Sequence, residues 1–156
     1  ETLCRRVDRV GPVGAGTAMK LAINLPLLTY FEALGEALSI TEKAGVKRSL
    51  AADILADSSG AAKVAPARIP WIIDAIGGKI PKEVSFDIAG AAKDATLMSK
   101  LAKQYGFEVP AINATRKAYT EAAAGPWGDR DFGLLSAWRV LQSKKRKSGS
   151  AKSGKR

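Results

Sequence analysis

Near the start of the chain, apolar residues recur at helical spacing over a long stretch. Most of them lie three or four positions apart and would share one helix face: Met19, Ile23, Leu27, Tyr30, Leu34, Leu38 and Ile40. The pattern predicts a helix over residues 17–44, roughly 42 Å long, capped by Thr17 and stopped by Gly45. Pro26 removes a backbone hydrogen bond inside it, so we expect a kink there or two helices divided at residues 24–26.

The rest of the pattern predicts five shorter helices, separated by glycine, proline and serine turns. They are expected over residues 46–57, 61–75 and 86–105, from Pro110 to the turn at Gly125, and from Asp129, as N-cap, to about Ser143. Pro66 and Pro70 should shorten or break the second of these. Residues 5–16 should form a short strand or coil that enters a glycine turn, and no other strand is expected. The fold class is therefore all-α, a bundle of about six helices with one long N-terminal helix.

Charge is unevenly distributed along the 156 residues, whose net charge is +10. Residues 142–156 hold seven Lys and Arg and no acid, so the first 141 residues carry only +3 (18 bases minus 15 acids). Residues 144–156 lack an apolar pattern and are expected to be a disordered basic tail. One alternative function is therefore a helical nucleic-acid-binding module that uses this tail. The mildly basic body argues against it, and we expect no specific nucleic acid as a partner.

Several classes of chemistry are excluded by composition. Cys4 is the only cysteine and there is no histidine, which excludes an internal disulfide, Ser-His or Cys-His catalysis and most zinc sites. We therefore expect no metal, a reducing cytoplasmic setting and acid–base work by Lys, Asp, Glu or Tyr. No apolar stretch is long enough to span a membrane, so no membrane partner is expected.

The most informative motif is a glycine-rich turn followed by Lys20 and Asn24. The turn contains Gly11, Gly14 and Gly16, which allow a sharp bend and a close approach; its GxxGxG spacing is not the GxGxxG of dinucleotide-binding turns. Lys20 and Asn24 lie four residues apart, on one helix face. From the sequence alone we expect the helix dipole and partial burial to disfavour the ammonium form of Lys20, as a general acid–base group requires. The alternative is a capped helix with a solvated lysine.

This motif resembles the start of the C-terminal domain of β-hydroxyacid dehydrogenases, the family of 3-hydroxyisobutyrate dehydrogenase, tartronate semialdehyde reductase and glyoxylate/succinic semialdehyde reductase. Residues 32–46 also look like this family. The resemblance implies a helical domain similar to the C-terminal domain of 6-phosphogluconate dehydrogenase. It also implies that Lys20 is the catalytic lysine and that Asn24 binds substrate.

A second stretch, from Phe86 to Lys93 and Asp94, resembles the same family. The resemblance implies that Lys93 contacts the cofactor, NAD or NADP, while Phe86 and Asp94 border the substrate pocket. A weaker similarity covers residues 125–137. Without the resemblance, Phe86 would be interpreted as a core residue and the Lys-Asp pair as an exposed pair of charges.

The resemblance implies the function of a longer protein. It indicates an NAD(P)-dependent dehydrogenase that transfers hydride between the cofactor and a small hydroxy acid or semialdehyde. Residues 1–16 would be an interdomain segment and residues 17–143 a substrate and dimerisation domain, in a homodimer or higher homo-oligomer. The N-terminal Rossmann domain of the family is not in this sequence, so we expect the chain to be inactive alone. Ile23, where many members have a second asparagine, and Pro26 depart from the family.

Overall fold

The structure, a computed structural model, describes residues 7–153, with side chains as far as Lys144. This part of the chain forms six α-helices and a short 3-10 turn at Phe132–Leu134. The helices are α1 (Ala15–Lys43), α2 (Arg48–Asp57), α3 (Ala65–Ile76), α4 (Ile88–Gln104), α5 (Pro110–Ala123) and α6 (Leu135–Ser153). Within residues 7–153, β-type backbone pairing is limited to one isolated antiparallel bridge, between Asp87 and Asp131. The predicted all-α class is confirmed, and none of the described helices is long and apolar enough to cross a membrane.

Helix α1 is continuous for 29 residues, with Pro26 inside it. The alternative of two helices divided at residues 24–26 is therefore wrong. Pro26 and Ala22, whose carbonyl loses its helical partner, are both exposed, so water can hydrate that carbonyl. The predicted cap at Thr17 is also wrong, because Gly14, with a φ of 96°, precedes the first helical residue. Gly45, with a φ of 82°, follows the helix end in the left-handed conformation, as predicted.

The buried face of α1 differs from the predicted stripe. Leu34 and Leu38 are buried as expected, but the stripe's Met19, Ile23 and Ile40 are 49%, 57% and 69% exposed. The core instead takes further residues from α1, which are Leu21, Leu28 and Phe31. Apolar residues occupy more than one face of this helix, so periodicity alone could not choose the face that packs inward.

Helix α6 packs closely against the middle of α1. Gly35 permits this contact, since a Cβ there would lie 2.8 Å from the Cβ of Arg139 and 2.9 Å from the Cα of Ser136. Across the same contact the Ser136 hydroxyl donates to the carbonyl of Phe31, and Arg139 forms an ion pair with Glu32. This part of α1 is thereby built into the core of the bundle.

The other helix ends shift by a few residues from their predicted positions. Helix α4 begins after Asp87, whose carboxylate accepts from the amide of Gly90 at 2.6 Å, so Phe86 lies just outside the helix. The cap predicted at Asp129 is wrong: Asp131 caps the 3-10 turn by accepting from the amide of Gly133 at 3.1 Å. Helix α3 begins at Ala65, with Pro66 in its first turn, where proline is tolerated.

The last helix continues to Ser153, beyond its predicted end near Ser143. The disordered tail expected over residues 144–156 stays a prediction, since side chains after Lys144 and the whole of residues 154–156 lie outside the described part. Residues 1–6 of the predicted interdomain segment also lie outside it.

Candidate active site

The structure brings Lys20, Asn24 and Asp94 together at the contact between α1 and α4. The Lys20 ammonium donates to Oδ2 of Asp94, and the Asn24 side-chain amide donates to the same oxygen at 3.2 Å. The Lys20 side chain is 56% exposed, while that of Asp94 is 9% exposed. One buried carboxylate therefore binds two donors from consecutive turns of α1 and leaves the amine accessible from outside.

Asp94 is a charged residue within an apolar helix face. The neighbours that share this face of α4, Ala91, Ala95 and Met98, are buried. A buried carboxylate is unfavourable unless it is paired, and the two donors from α1 supply that pairing. An acid within an apolar stripe is the signal in the sequence that marks Asp94, although it does not name the partner, which lies 74 residues away.

Phe86 completes the cluster from the segment before α4. Its ring centroid lies 5.8 Å from Nζ of Lys20, close enough for a cation–π contact. The ring packs at 5.8 Å, centroid to centroid, against Phe132 and lies over Gly90. A Cβ on Gly90 would lie 2.6 Å from the ring, so the glycine makes the space that the ring occupies.

Lys93 lies apart from this cluster. It is exposed, and within the described residues it takes no part in the hydrogen bonds around Asp94. Its predicted contact with the cofactor stays a prediction. Four of the five predicted site residues, Lys20, Asn24, Phe86 and Asp94, are therefore in one place, with Lys93 on the adjacent surface.

The cluster combines an accessible amine, which is suited to proton transfer, with a buried carboxylate that pairs with it. Lys20 offers an accessible cation that can move a proton at Nζ. The carboxylate of Asp94, which also accepts from the Asn24 amide, holds this cation. Asp94 is buried behind Lys20, with its negative charge already paired. A substrate carboxylate would be repelled by Asp94 and attracted by Lys20, so this arrangement favours Asp94 as a support for the lysine.

Comparison with known proteins identifies the family and the fold of this chain. The family profile described as "NAD-binding of NADP-dependent 3-hydroxyisobutyrate dehydrogenase" matches residues 14–138. No curated protein matches the sequence. Among solved structures, the fold is similar to 3-hydroxyisobutyrate dehydrogenase from Salmonella typhimurium, with 20% sequence identity and a TM-score of 0.68.

That similarity covers 79% of this chain but only 41% of the Salmonella protein. The chain therefore spans less than half the length of the dehydrogenase it resembles. At this identity the structural match concerns the fold, whereas the family match extends over most of the sequence. The chain belongs to the family of the NAD-binding domain of NADP-dependent 3-hydroxyisobutyrate dehydrogenase, among the β-hydroxyacid dehydrogenases.

Proposed function

We propose that this chain supplies the acid–base lysine of an NAD(P)-dependent dehydrogenase acting on a small hydroxy acid or the corresponding semialdehyde. The observation that carries the proposal, in a chain of this family, is the accessible ammonium of Lys20, which is paired with the buried Asp94, to which Asn24 also donates. An accessible amine on an ordered support is what general acid–base catalysis requires.

In this proposal Lys20 moves the proton of the substrate hydroxyl. During oxidation Nζ accepts that proton, and during reduction it returns a proton to the carbonyl oxygen. Its positive charge also stabilises negative charge that develops on this oxygen. Asp94 keeps the amine in place, and Asn24 has a carbonyl oxygen and a second N–H with which to orient the substrate.

The nicotinamide cofactor supplies the hydride acceptor or donor. Lys93 fits such a group, because it is an exposed cation next to Asp94 in the chain and can meet a ribose hydroxyl or a phosphate. Most of the cofactor would be held by a Rossmann domain, since this sequence has no GxGxxG turn. We therefore propose that the chain is inactive alone and that the choice between NAD and NADP is made outside it.

We also propose that the domain forms a homodimer or higher homo-oligomer in the cytoplasm. Large apolar side chains exposed on the end of α1 and on α2 support an oligomer: Ile40, Leu50 and Ile54 are 69%, 51% and 57% exposed. Leu50 and Ile54 lie four residues apart and share one face of α2, and exposed apolar faces mark surfaces that bind other proteins. Sedimentation should show a dimer that Ile54→Lys weakens. Val84→Lys, at an exposed position in the segment between α3 and α4, should leave the dimer intact. A monomeric wild-type protein would contradict this.

The test of the proposed function uses the full-length protein that carries this chain. It is incubated with NAD⁺ or NADP⁺ and a panel of short-chain 3-hydroxy acids, and the reduced cofactor is followed by its absorbance. We expect turnover with at least one acid, and none with the matched alcohols that lack a carboxylate. A folded protein that binds the cofactor but oxidises no hydroxy acid, and reduces no semialdehyde, would contradict the proposal.

A further inference from the structure

Asp131 is a further buried carboxylate, which does not contact Lys20 itself but binds the residue before Phe86. It is 1% exposed, and both of its oxygens are paired. Oδ2 accepts from the amide and the hydroxyl of Ser85, at 3.1 and 2.8 Å, and Oδ1 accepts from the amide of Gly133 at 3.1 Å. Nε of Arg68 lies 3.3 Å from Oδ1. The carboxylate thus joins α3, the segment before α4 and the turn before α6.

Arg68 strengthens the same junction. Its Nη2 donates to the hydroxyl of Ser85 at 2.8 Å, so this hydroxyl accepts from Arg68 and donates to Asp131. The guanidinium also lies 4.5 Å from the ring centroid of Trp71, which restricts its position. We call Arg68, Ser85 and Asp131 the clasp.

The clasp holds the backbone before Phe86, and backbone hydrogen bonds to the neighbours of Asp131 hold the backbone at and after it. Ser85 is bound by the carboxylate of Asp131. The carbonyl of Phe86 accepts from the amide of Phe132 at 2.8 Å, and the amide of Ile88 donates to the carbonyl of Arg130 at 2.9 Å. Phe86 is therefore fixed against residues that immediately precede or follow Asp131.

The two groups that contact Lys20, the Phe86 ring and the Asp94 carboxylate, both lie shortly after Ser85 in the chain. The ring of Phe86 lies 5.8 Å from the Lys20 ammonium, and Asp94 lies two turns into the helix that starts after Asp87. A shift of the segment before α4 would move both together. Misplacement of a catalytic group by about 1 Å can lower the rate by about a hundredfold.

We propose that Asp131, with Ser85 and Arg68, positions the site: the clasp fixes Phe86 and the start of α4, and so the place at which Lys20 meets the substrate. This inference rests on the proposed function for its effect on turnover. Its structural part, the control of Phe86 by the clasp, does not depend on that function.

The test removes the Ser85 hydroxyl, since Ser85→Ala deletes two hydrogen bonds of an exposed residue and leaves its backbone bond to Asp131. Ser85→Thr keeps the hydroxyl and is the conservative rescue. Ser39→Ala is the matched control, because Ser39 loses a hydroxyl bond of 2.8 Å to the carbonyl of Gly35, at a distant part of α1. All variants are made in the full-length protein, with 4-fluorophenylalanine at position 86 for ¹⁹F NMR.

We expect Ser85→Ala to shift or broaden the ¹⁹F resonance and to lower kcat by about tenfold, with the KM for cofactor and the melting temperature little changed. Ser85→Thr should restore both signals, and Ser39→Ala should leave both as in the wild type. An unchanged resonance in Ser85→Ala would contradict the proposal that the clasp positions Phe86. A loss of kcat fully explained by a smaller fraction of folded protein would contradict it too. If the wild type transfers no hydride, the proposed function fails, and the resonance alone decides whether the clasp positions Phe86.

Discussion

Two of the ion pairs formed by helix α1, Lys20–Asp94 and Glu32–Arg139, differ in which partner is accessible. Lys20 pairs with Asp94 across to α4, and its side chain is 56% exposed while the acid is buried. Glu32 pairs with Arg139 across to α6, and the two side chains are 11% and 26% exposed. The first pair leaves its amine open to a substrate, whereas the second is largely enclosed.

The enclosed pair shows what burial does to a charge. Burial raises the pKa of Glu32, the hydrogen bond and charge of Arg139 lower it, and the nearby Glu36 and Glu121 raise it again, so that the net direction is upward. One oxygen of Glu32, Oε2, has no hydrogen-bond partner among the described residues. The comparison teaches that ion pairs on one helix can differ in kind: one presents an accessible amine at the surface, and the other is part of the packing between two helices.

The largest expected effect comes from removing Lys20, the accessible partner of the Lys20–Asp94 ion pair. In the full-length enzyme, Lys20→Ala should lower kcat by about two to four powers of ten, the usual contribution of a general acid–base group. Cofactor affinity should change little, because the amine is assigned to the substrate. Asn24 still donates to Asp94, but the buried carboxylate loses its cation, so some loss of melting temperature is expected and kcat is measured per folded molecule. Lys43→Ala, an exposed lysine at the other end of the helix, is the control for steady-state kinetics and should retain wild-type kcat.

Breaking the Glu32–Arg139 ion pair should lower the stability of the fold and leave kcat per folded molecule unchanged. Arg139→Ala leaves Glu32 buried without its partner and should lower the free energy of unfolding by about 3 kcal/mol, measured by urea denaturation. The double variant Glu32→Leu/Arg139→Met should recover to within about 1 kcal/mol of the wild type, since apolar pairs often replace buried ion pairs. If Arg139→Ala instead lowered kcat per folded molecule and spared stability, the distinction between the two pairs would be wrong.

A smaller effect should separate Lys93 from Lys20. Lys93→Ala should weaken cofactor binding by about tenfold, the loss of one charge-assisted contact of about 1.4 kcal/mol, with kcat at saturating cofactor nearly unchanged. Lys100→Ala removes an exposed lysine two turns further along α4 and should leave the affinity unaltered. Titration of protein fluorescence with the reduced cofactor measures both. Equal affinities for all three proteins would remove Lys93 from the cofactor site.

The smallest effect concerns the pH dependence of stability. Because the pKa of Glu32 is raised above 4.5 in the folded state, the folded chain binds more protons than the unfolded chain over the range just above 4.5. The stability contributed by this group is complete below that range and is lost as the pH rises through the folded pKa. Glu32→Gln should remove this decline in the free energy of unfolding. Curves of identical shape for both proteins would contradict the assignment.

Much of the fold could be predicted from the sequence because local signals decide it. The spacing of apolar residues and the glycine at position 45 are enough to define a long first helix, and Lys20 and Asn24 share a face by helix geometry alone. The face that packs inward was predicted wrongly at Met19 and Ile23, because apolar side chains surround this part of the helix. Which face is buried depends on neighbours distant in the chain.

The site could be predicted only in part, for the same physical reason. The resemblance named Phe86, Lys93 and Asp94, but no local pattern indicates that Asp94 binds Lys20. Asp129 and Asp131 flank a single arginine and have similar local sequence, so either could serve as a cap. Asp131 is the one that the Ser85 segment meets, and only the tertiary structure distinguishes it.

Chemical rescue of the lysine tests the central claim most directly. The full-length Lys20→Ala enzyme is assayed with increasing concentrations of small primary amines of graded basicity, at saturating cofactor and hydroxy acid. The account predicts that kcat rises with amine concentration and depends on amine basicity, as proton transfer at Nζ requires, while the Lys43→Ala control does not respond. An activity that no amine restores, or a Lys20→Ala enzyme with near-normal kcat, would contradict the assignment of Lys20 as the acid–base group.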